Sequence, residues 1–164
     1  MKRLVDGVLR VLATGFWTGF FPVAPGTAGS LLAVALYVAV PALPLGADGS
    51  FPTLAGGLFL VGLFALGVVA STRAEKEFGR DGGPIVLDEV LGQWITLAGL
   101  RPDPGVLVAG FLLFRFFDIV KPFPAGVSQS WKEGWGVMAD DVFAGVYAAL
   151  ALRGLLALMP GLGG

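Results

Sequence analysis

The sequence predicts an all-α fold, a polytopic membrane helical bundle of about four to five membrane segments preceded by an interfacial helix. Three observations carry that prediction. Hydrophobic residues make up 55% of the chain and charged residues 14%, and mean hydropathy is +0.81, well above what water-soluble domains show. The apolar residues gather in long runs separated by short charged or Pro/Gly-rich connections. Basic residues concentrate in alternate connections, the asymmetry that orients membrane helices. With no abrupt shift in composition along its 164 residues, the chain (1–164) reads as a single domain.

The elements follow in order. From Met1 to about Thr14, Lys2 and Arg3 precede an apolar run that Asp6 and Arg10 interrupt, with no small-residue cleavage site after it. A retained segment is expected rather than a secretory signal. Lys2, Arg3, Asp6 and Arg10 share one face at helical spacing, with Val5, Leu9 and Leu12 opposite, which fits a helix lying in the interface. The apolar segments run from Ala28 to Leu45, Pro52 to Ser71, Ile85 to Leu100, Gly105 to Phe117 and Val142 to Met159. The second and last come near the roughly 20 residues that a crossing needs. Pro41 and Pro44 cut the first. The third and fourth, joined by Arg101-Pro102-Asp103-Pro104, are short, and tilt, local thinning or a buried hairpin would accommodate them.

With the N-terminus cytoplasmic, Lys2, Arg3, Arg10, Arg73, Lys76, Arg80, Arg115, Lys121 and Lys132 all fall inside, and the outside loops hold only Arg101. The same topology brings Asp88-Glu89 at the start of the third segment, Asp118 at the end of the fourth and Asp140-Asp141 before the fifth to the cytoplasmic side.

Two absences narrow the chemistry. The chain has no Cys and no His, which removes thiolate or imidazole zinc sites, disulfides, thiol nucleophiles and imidazole bases. Carboxylates must do the work, and they suit hard ions such as Mg2+, with Mn2+ as a substitute. A net charge of −1 gives no basic field for nucleic acid.

The richest stretch is Phe114-Arg115-Phe116-Phe117-Asp118-Ile119-Val120-Lys121-Pro122-Phe123-Pro124, with two cations and a carboxylate inside aromatic sequence. Such groups are expensive beside hydrocarbon. On a continuous helix the three share a face. A self-neutralised triad or snorkelling accounts for their tolerance; an acid that holds metal, flanked by cations that hold phosphate, also accounts for their presence. One of Asp140-Asp141 could cap the last helix, but adjacent carboxylates repel unless a cation lies between them. Asp88-Glu89 is a second such pair in an interfacial first turn. Pro25-Gly26-Thr27 leads into the first apolar helix, where free backbone N–H groups and the helix dipole receive phosphate, although Thr27 as a simple cap reads equally well there. No Gly-Lys-Ser/Thr follows, so it is not a Walker A loop. Arg73, Glu75, Lys76, Glu77, Arg80 and Asp81 read as a solvated loop attracted to anionic lipid. Trp17, Trp94, Trp131 and Trp135 read as an interfacial belt.

Pro25 to Thr27, Ile85-Val86-Leu87-Asp88-Glu89-Val90-Leu91-Gly92, the run from Phe114 to Pro124, and Gly134-Trp135-Gly136-Val137-Met138-Ala139-Asp140-Asp141 with Gly145 together resemble, in order, the motif blocks of the phosphatidylglycerophosphatase A family. Gly82-Gly83-Pro84 departs from that pattern, standing where charged residues often precede the Asp-Glu pair. The resemblance implies a bundle with a central helix wrapped by others. It also implies a magnesium-dependent membrane phosphatase that converts phosphatidylglycerophosphate to phosphatidylglycerol and inorganic phosphate at the cytoplasmic face of the bacterial inner membrane. Joined with the residue-level argument, Asp88, Glu89, Asp118, Asp140 and Asp141 are the expected ligands of one or two Mg2+ ions. Gly26, Thr27, Arg115 and Lys121 are the expected phosphate contacts. A phosphatase using an active-site His is excluded by composition, and the spaced aspartate signature of CDP-alcohol phosphatidyltransferases is not found. The alternative of another class is a small cation channel or carrier built on intramembrane carboxylates.

Overall fold

A computed structural model describes residues 2–40, 42–48 and 53–163, so that Pro41, an expected break in the first apolar segment, and Pro52, the expected start of the second, lie outside the described residues. Among the described residues the chain is all helical: α1 (Lys2–Ala13), α2 (Pro25–Ala39), α3 (Leu54–Phe78), α4 (Leu87–Leu97), α5 (Pro104–Val120), α6 (Ala125–Ser128) and α7 (Gly134–Leu158). Short 3-10 turns occupy Thr18–Phe20 and Pro160–Leu162. Local chemistry sets the boundaries. α2 and α5 start on prolines, whose missing N–H costs nothing in the first turn. Thr53 caps α3 by accepting from the Gly56 N–H at 3.2 Å, and Gly79 ends that helix at φ 85°.

Helix α4 is the hub, packed against α2, α3, α5 and α7. Leu87, Val90, Leu91, Gln93, Trp94, Thr96 and Leu97 are all buried. Its closest partner is α7, where a Cβ at Gly145 would lie 3.0 Å from the Gly92 Cα, so only glycine permits that approach.

Among the described residues only α3 and α7, each of 25 residues, are long and apolar enough to cross a membrane. This corrects the expectation of four to five membrane segments. α2 stops after 15 residues and α5 after 17. At 11 residues α4 spans roughly 16 Å, and protein rather than lipid sheathes it. By contrast, just 28% of each apolar window in α3 and α7 is buried. Leu58, Val61 and Leu150 project outward, so these are lipid-facing helices of a membrane protein and not core helices of a soluble one.

Three further expectations change. α7 begins at Gly134, not Val142, so Asp140 and Asp141 lie well inside the helix and do not cap it. α5 continues past Phe117 to Val120 and carries Asp118 with it. Trp94 is no belt residue, because it is buried and its Nε1–H donates to the Ala33 carbonyl at 2.9 Å. α1 forms, but part of its polar face is matched by α3: Arg10 pairs with Glu77 at 3.0 Å and Arg73 with Asp6 at 2.5 Å.

Candidate active site

Four helices bring their polar termini to one end of the bundle. α4 supplies Asp88 and Glu89 in its first turn, α5 supplies Arg115 and Asp118 with Lys121 as its C-cap, α7 supplies Asp140 and Asp141, and α2 presents its N-terminus at Pro25 and Gly26. α2, α4 and α7 bring their N-terminal portions here and α5, running the opposite way, its C-terminal end, which gathers residues from distant stretches of sequence.

Within this end the carboxylates divide into two sets. Asp88, Glu89 and Asp141 each offer an oxygen, and those oxygens all lie within 4.8 Å of one another. Asp88 Oδ1, Glu89 Oε2 and Asp141 Oδ2 are buried and have no hydrogen-bond partner among the described residues. Three unpaired acidic oxygens buried together are unfavourable on their own. Burial, with the Glu89 and Asp141 charges added to it, holds the Asp88 carboxyl well above the usual carboxylate range. Burial likewise pushes Glu89 up to about 7. A hard divalent cation reverses both penalties, and an all-oxygen set of this kind fits Mg2+ or Mn2+.

Asp118 and Asp140 are instead held by cations. Arg115 Nη1 sits 2.7 Å from Asp118 Oδ2, 3.9 Å from Glu89 Oε1 and 3.4 Å from Ser30 Oγ. Lys121 Nζ lies 3.4 Å from Asp118 Oδ1 and is ion-paired with Asp140. Asp140 also accepts from the Asp141 N–H at 3.1 Å. Lys121 has φ 46°, the left-handed conformation usual for glycine after a helix, yet here the residue carries a charge that bridges α5 and α7. Burial alone would lower its ammonium pKa, but the Asp140, Asp141 and Asp118 charges outweigh burial and raise it. The lysine is therefore a fixed cation.

The α2 terminus closes the remaining side. A Cβ at Gly26 would run into Glu89 Oε1 and lie 3.2 Å from Arg115 Nη1, so glycine lets the backbone reach the acids. Thr27 does not cap the helix: Ala24 holds the N-cap position at φ 51° with no side-chain bond. The Thr27 N–H donates to the Ala24 carbonyl at 2.9 Å. No described hydrogen bond links the Thr27 side chain to the acids.

Two site residues escape a reading of the sequence. Ser30 donates to the Gly26 carbonyl at 2.9 Å while receiving Arg115. Gln93 is fully buried with both side-chain polar atoms unpartnered. A glutamine four positions after Glu89 in an otherwise apolar run was the only available signal for it.

A family model for phosphatidylglycerophosphatase A matches residues 11–156. A protein of Bacteroides thetaiotaomicron, provisionally named a phosphatidylinositol-3-phosphatase, is 42% identical over 151 residues, covering 87% of this chain and 89% of the relative. Phosphatidylglycerophosphatase A of Escherichia coli is 37% identical over 143 residues, covering 85% of this chain and 78% of its own. Phosphatidylglycerophosphatase A of Haemophilus influenzae is 37% identical over 150 residues, covering 88% and 86%. No solved structure matches the chain. The matched region contains every acid and cation placed at this end of the bundle, and the chain belongs to the phosphatidylglycerophosphatase A family, a family of lipid phosphatases.

Proposed function

We propose that this protein hydrolyses the terminal phosphomonoester of phosphatidylglycerophosphate, releasing phosphatidylglycerol and inorganic phosphate, with Mg2+ (or Mn2+) as cofactor, at the cytoplasmic face of the bacterial inner membrane. The observation that carries the reading is the convergence of Asp88, Glu89 and Asp141 oxygens within 4.8 Å, beside Arg115 and Lys121. Family membership supplies the substrate class, and the gathering of Arg73, Lys76, Arg80, Arg115 and Lys121 at the acid end favours the cytoplasmic orientation.

Asp88, Glu89 and Asp141 would hold the ion, which would supply charge neutralisation for phosphate oxygens and a lowered pKa for a water. Asp118 and Asp140, expected from the sequence as further ligands, in our reading orient Arg115 and Lys121. Those two cations face the phosphoryl group and stabilise the charge spread over its oxygens, with the free first-turn N–H of Gly26 adding a neutral donor. A carboxylate of the trio takes the proton from the attacking water. The acyl chains remain among the lipids around α3 and α7 while the headgroup reaches the acids.

The name of the Bacteroides relative favours a second substrate with the same chemistry, phosphatidylinositol 3-phosphate. A cation channel or carrier is the weaker reading, since Arg115 and Lys121 sit on the carboxylates that a passing ion would need. The test is phosphate release by the purified protein in mixed micelles of each lipid. We expect release from phosphatidylglycerophosphate that stops with EDTA and returns with Mg2+. Release that EDTA does not touch would remove the metal, and preferential release from the phosphoinositide would reassign the substrate.

A further inference from the structure

Gln93 stands apart from the groups already assigned. It lies midway along the central helix α4, 0% exposed, and neither Oε1 nor Nε2 has a hydrogen-bond partner among the described residues. An amide removed from water and left unpaired is unfavourable, and its neighbours Leu91 and Leu97 show what packing alone selects at such positions. Its place on the helix indicates what it serves. Gln93 follows Glu89 by four residues, so the two share a face, and helical side chains lean back over the preceding turn. That spacing sets Gln93 over the turn of α4 that carries Glu89. Gly26 of α2 and Arg115 of α5 close on that carboxylate from the other helices. Two more buried atoms there lack partners, Glu89 Oε2 and Arg115 Nε.

Resting on the reading of Asp88, Glu89 and Asp141 as a divalent-cation site, we propose that Gln93 is a positioning residue for the ion. Through ordered water its Nε2 donates toward Glu89 Oε2 and its Oε1 accepts from Arg115 Nε, fixing the orientation in which Glu89 ligates. The donor and acceptor of one amide match an anionic oxygen and a guanidinium N–H. Loss of such an outer hydrogen-bond partner typically costs about 10- to 100-fold in metal affinity or activity.

The test uses the full chain in detergent, titrated with MgCl2 or MnCl2, with the thermal unfolding midpoint as readout and phosphate release in parallel. Gln93→Met is expected to raise the metal concentration for half-maximal stabilisation about 10- to 100-fold. The half-maximal concentration for turnover should shift equally. In EDTA its unfolding temperature should fall by no more than about 4 °C, because the bonds lost run through water that can re-pair with Glu89 and Arg115 while Met keeps the buried volume. Thr96→Val, which removes a buried bond of 2.9 Å to the Gly92 carbonyl one turn away, should leave the metal midpoint within about twofold. Gln93→Leu, run beside Gln93→Met, covers the event that the longer side chain folds poorly. A metal midpoint within twofold of the parent in both Gln93 variants overturns the inference, as does a fall of the unfolding temperature in EDTA well beyond about 4 °C, which marks a structural hydrogen bond. If the parent itself shows no metal-dependent stabilisation and no metal-dependent turnover, the divalent site fails and this inference fails with it.

Discussion

The two ends of the bundle treat buried polar groups in opposite ways. At the end remote from the acids they are paired. Tyr37 Oη lies 2.8 Å from the Leu97 carbonyl and 2.7 Å from that of Leu100. Arg153 donates to Ala98 O at 2.5 Å and Ala149 O at 3.1 Å, and the Gly99 N–H reaches Leu45 O at 2.6 Å. The bonds to Leu97, Ala98 and Leu100 satisfy carbonyls exposed where α4 ends, which a helix cannot satisfy by itself. At the acid end, Asp88, Glu89, Gln93, Arg115 and Asp141 all keep buried polar atoms without partners. One end secures the fold, and the other gives up stability to keep groups ready for a ligand.

The sharpest way to break that contrast is to neutralise one carboxylate of the trio. Asp141→Asn removes a ligand charge and should lower turnover by at least about 10³-fold, the scale of several kcal/mol of metal-borne charge stabilisation. In EDTA it also removes like-charge repulsion in a dry site, so unfolding should shift upward by about 1 kcal/mol, roughly 2–4 °C for a chain of this size. Turnover assays and thermal scans check both signs. A lower unfolding temperature in EDTA would mean that the acid end contributes stability, and the contrast would fail. Next in size, Arg115→Met should cost about 10²-fold in turnover, by loss of one preorganised donor to the phosphoryl group. Arg115→Lys should recover only part, because an ammonium cannot reproduce the guanidinium fork now shared among Asp118, Glu89 and Ser30.

What was legible in the sequence is what local spacing encodes. Arg115, Asp118 and Lys121 stand three residues apart, and α5 does carry the first two on one face, with Lys121 at its end. The two long apolar runs became α3 and α7. Three features were not legible, because they depend on which helices pack together. Hydropathy cannot separate a short lipid-facing helix from one sheathed by protein, so the segment of α4 stays open between a tilted crossing and a buried hairpin, and Trp94 reads as a belt residue. The start of α7 at Gly134 was hidden by weak apolar signal before Val142, which left Asp140 and Asp141 open to a capping role. The division of the acids, with three facing one another and two paired to cations, arises from contacts between α4, α5 and α7. Nothing local in the sequence marks which oxygen pairs with Arg115 or Lys121.

At the opposite end the expected effects are on stability and not on chemistry. Arg153→Met leaves the Ala98 carbonyl without its described partner and should destabilise by about 1 kcal/mol, with turnover per folded molecule unchanged. Tyr37→Phe is the gentlest probe. It removes a hydroxyl whose one proton is shared by the carbonyls of Leu97, the last residue of α4, and Leu100 just beyond it while keeping the ring that packs from α2 on α4, so the loss should be about 1 kcal/mol. Because α4 is a single rigid element from Leu87 to Leu97, a shift of its far end would reach Asp88 and Glu89 if the helix were held there alone. The Gly92 and Gly145 contact with α7 pins it midway, and so the metal concentration for half-maximal turnover should stay where it is in the parent. A Tyr37→Phe protein whose metal requirement rises along with its loss of stability would show that the two ends act as one unit, with α4 transmitting strain past its glycine contact.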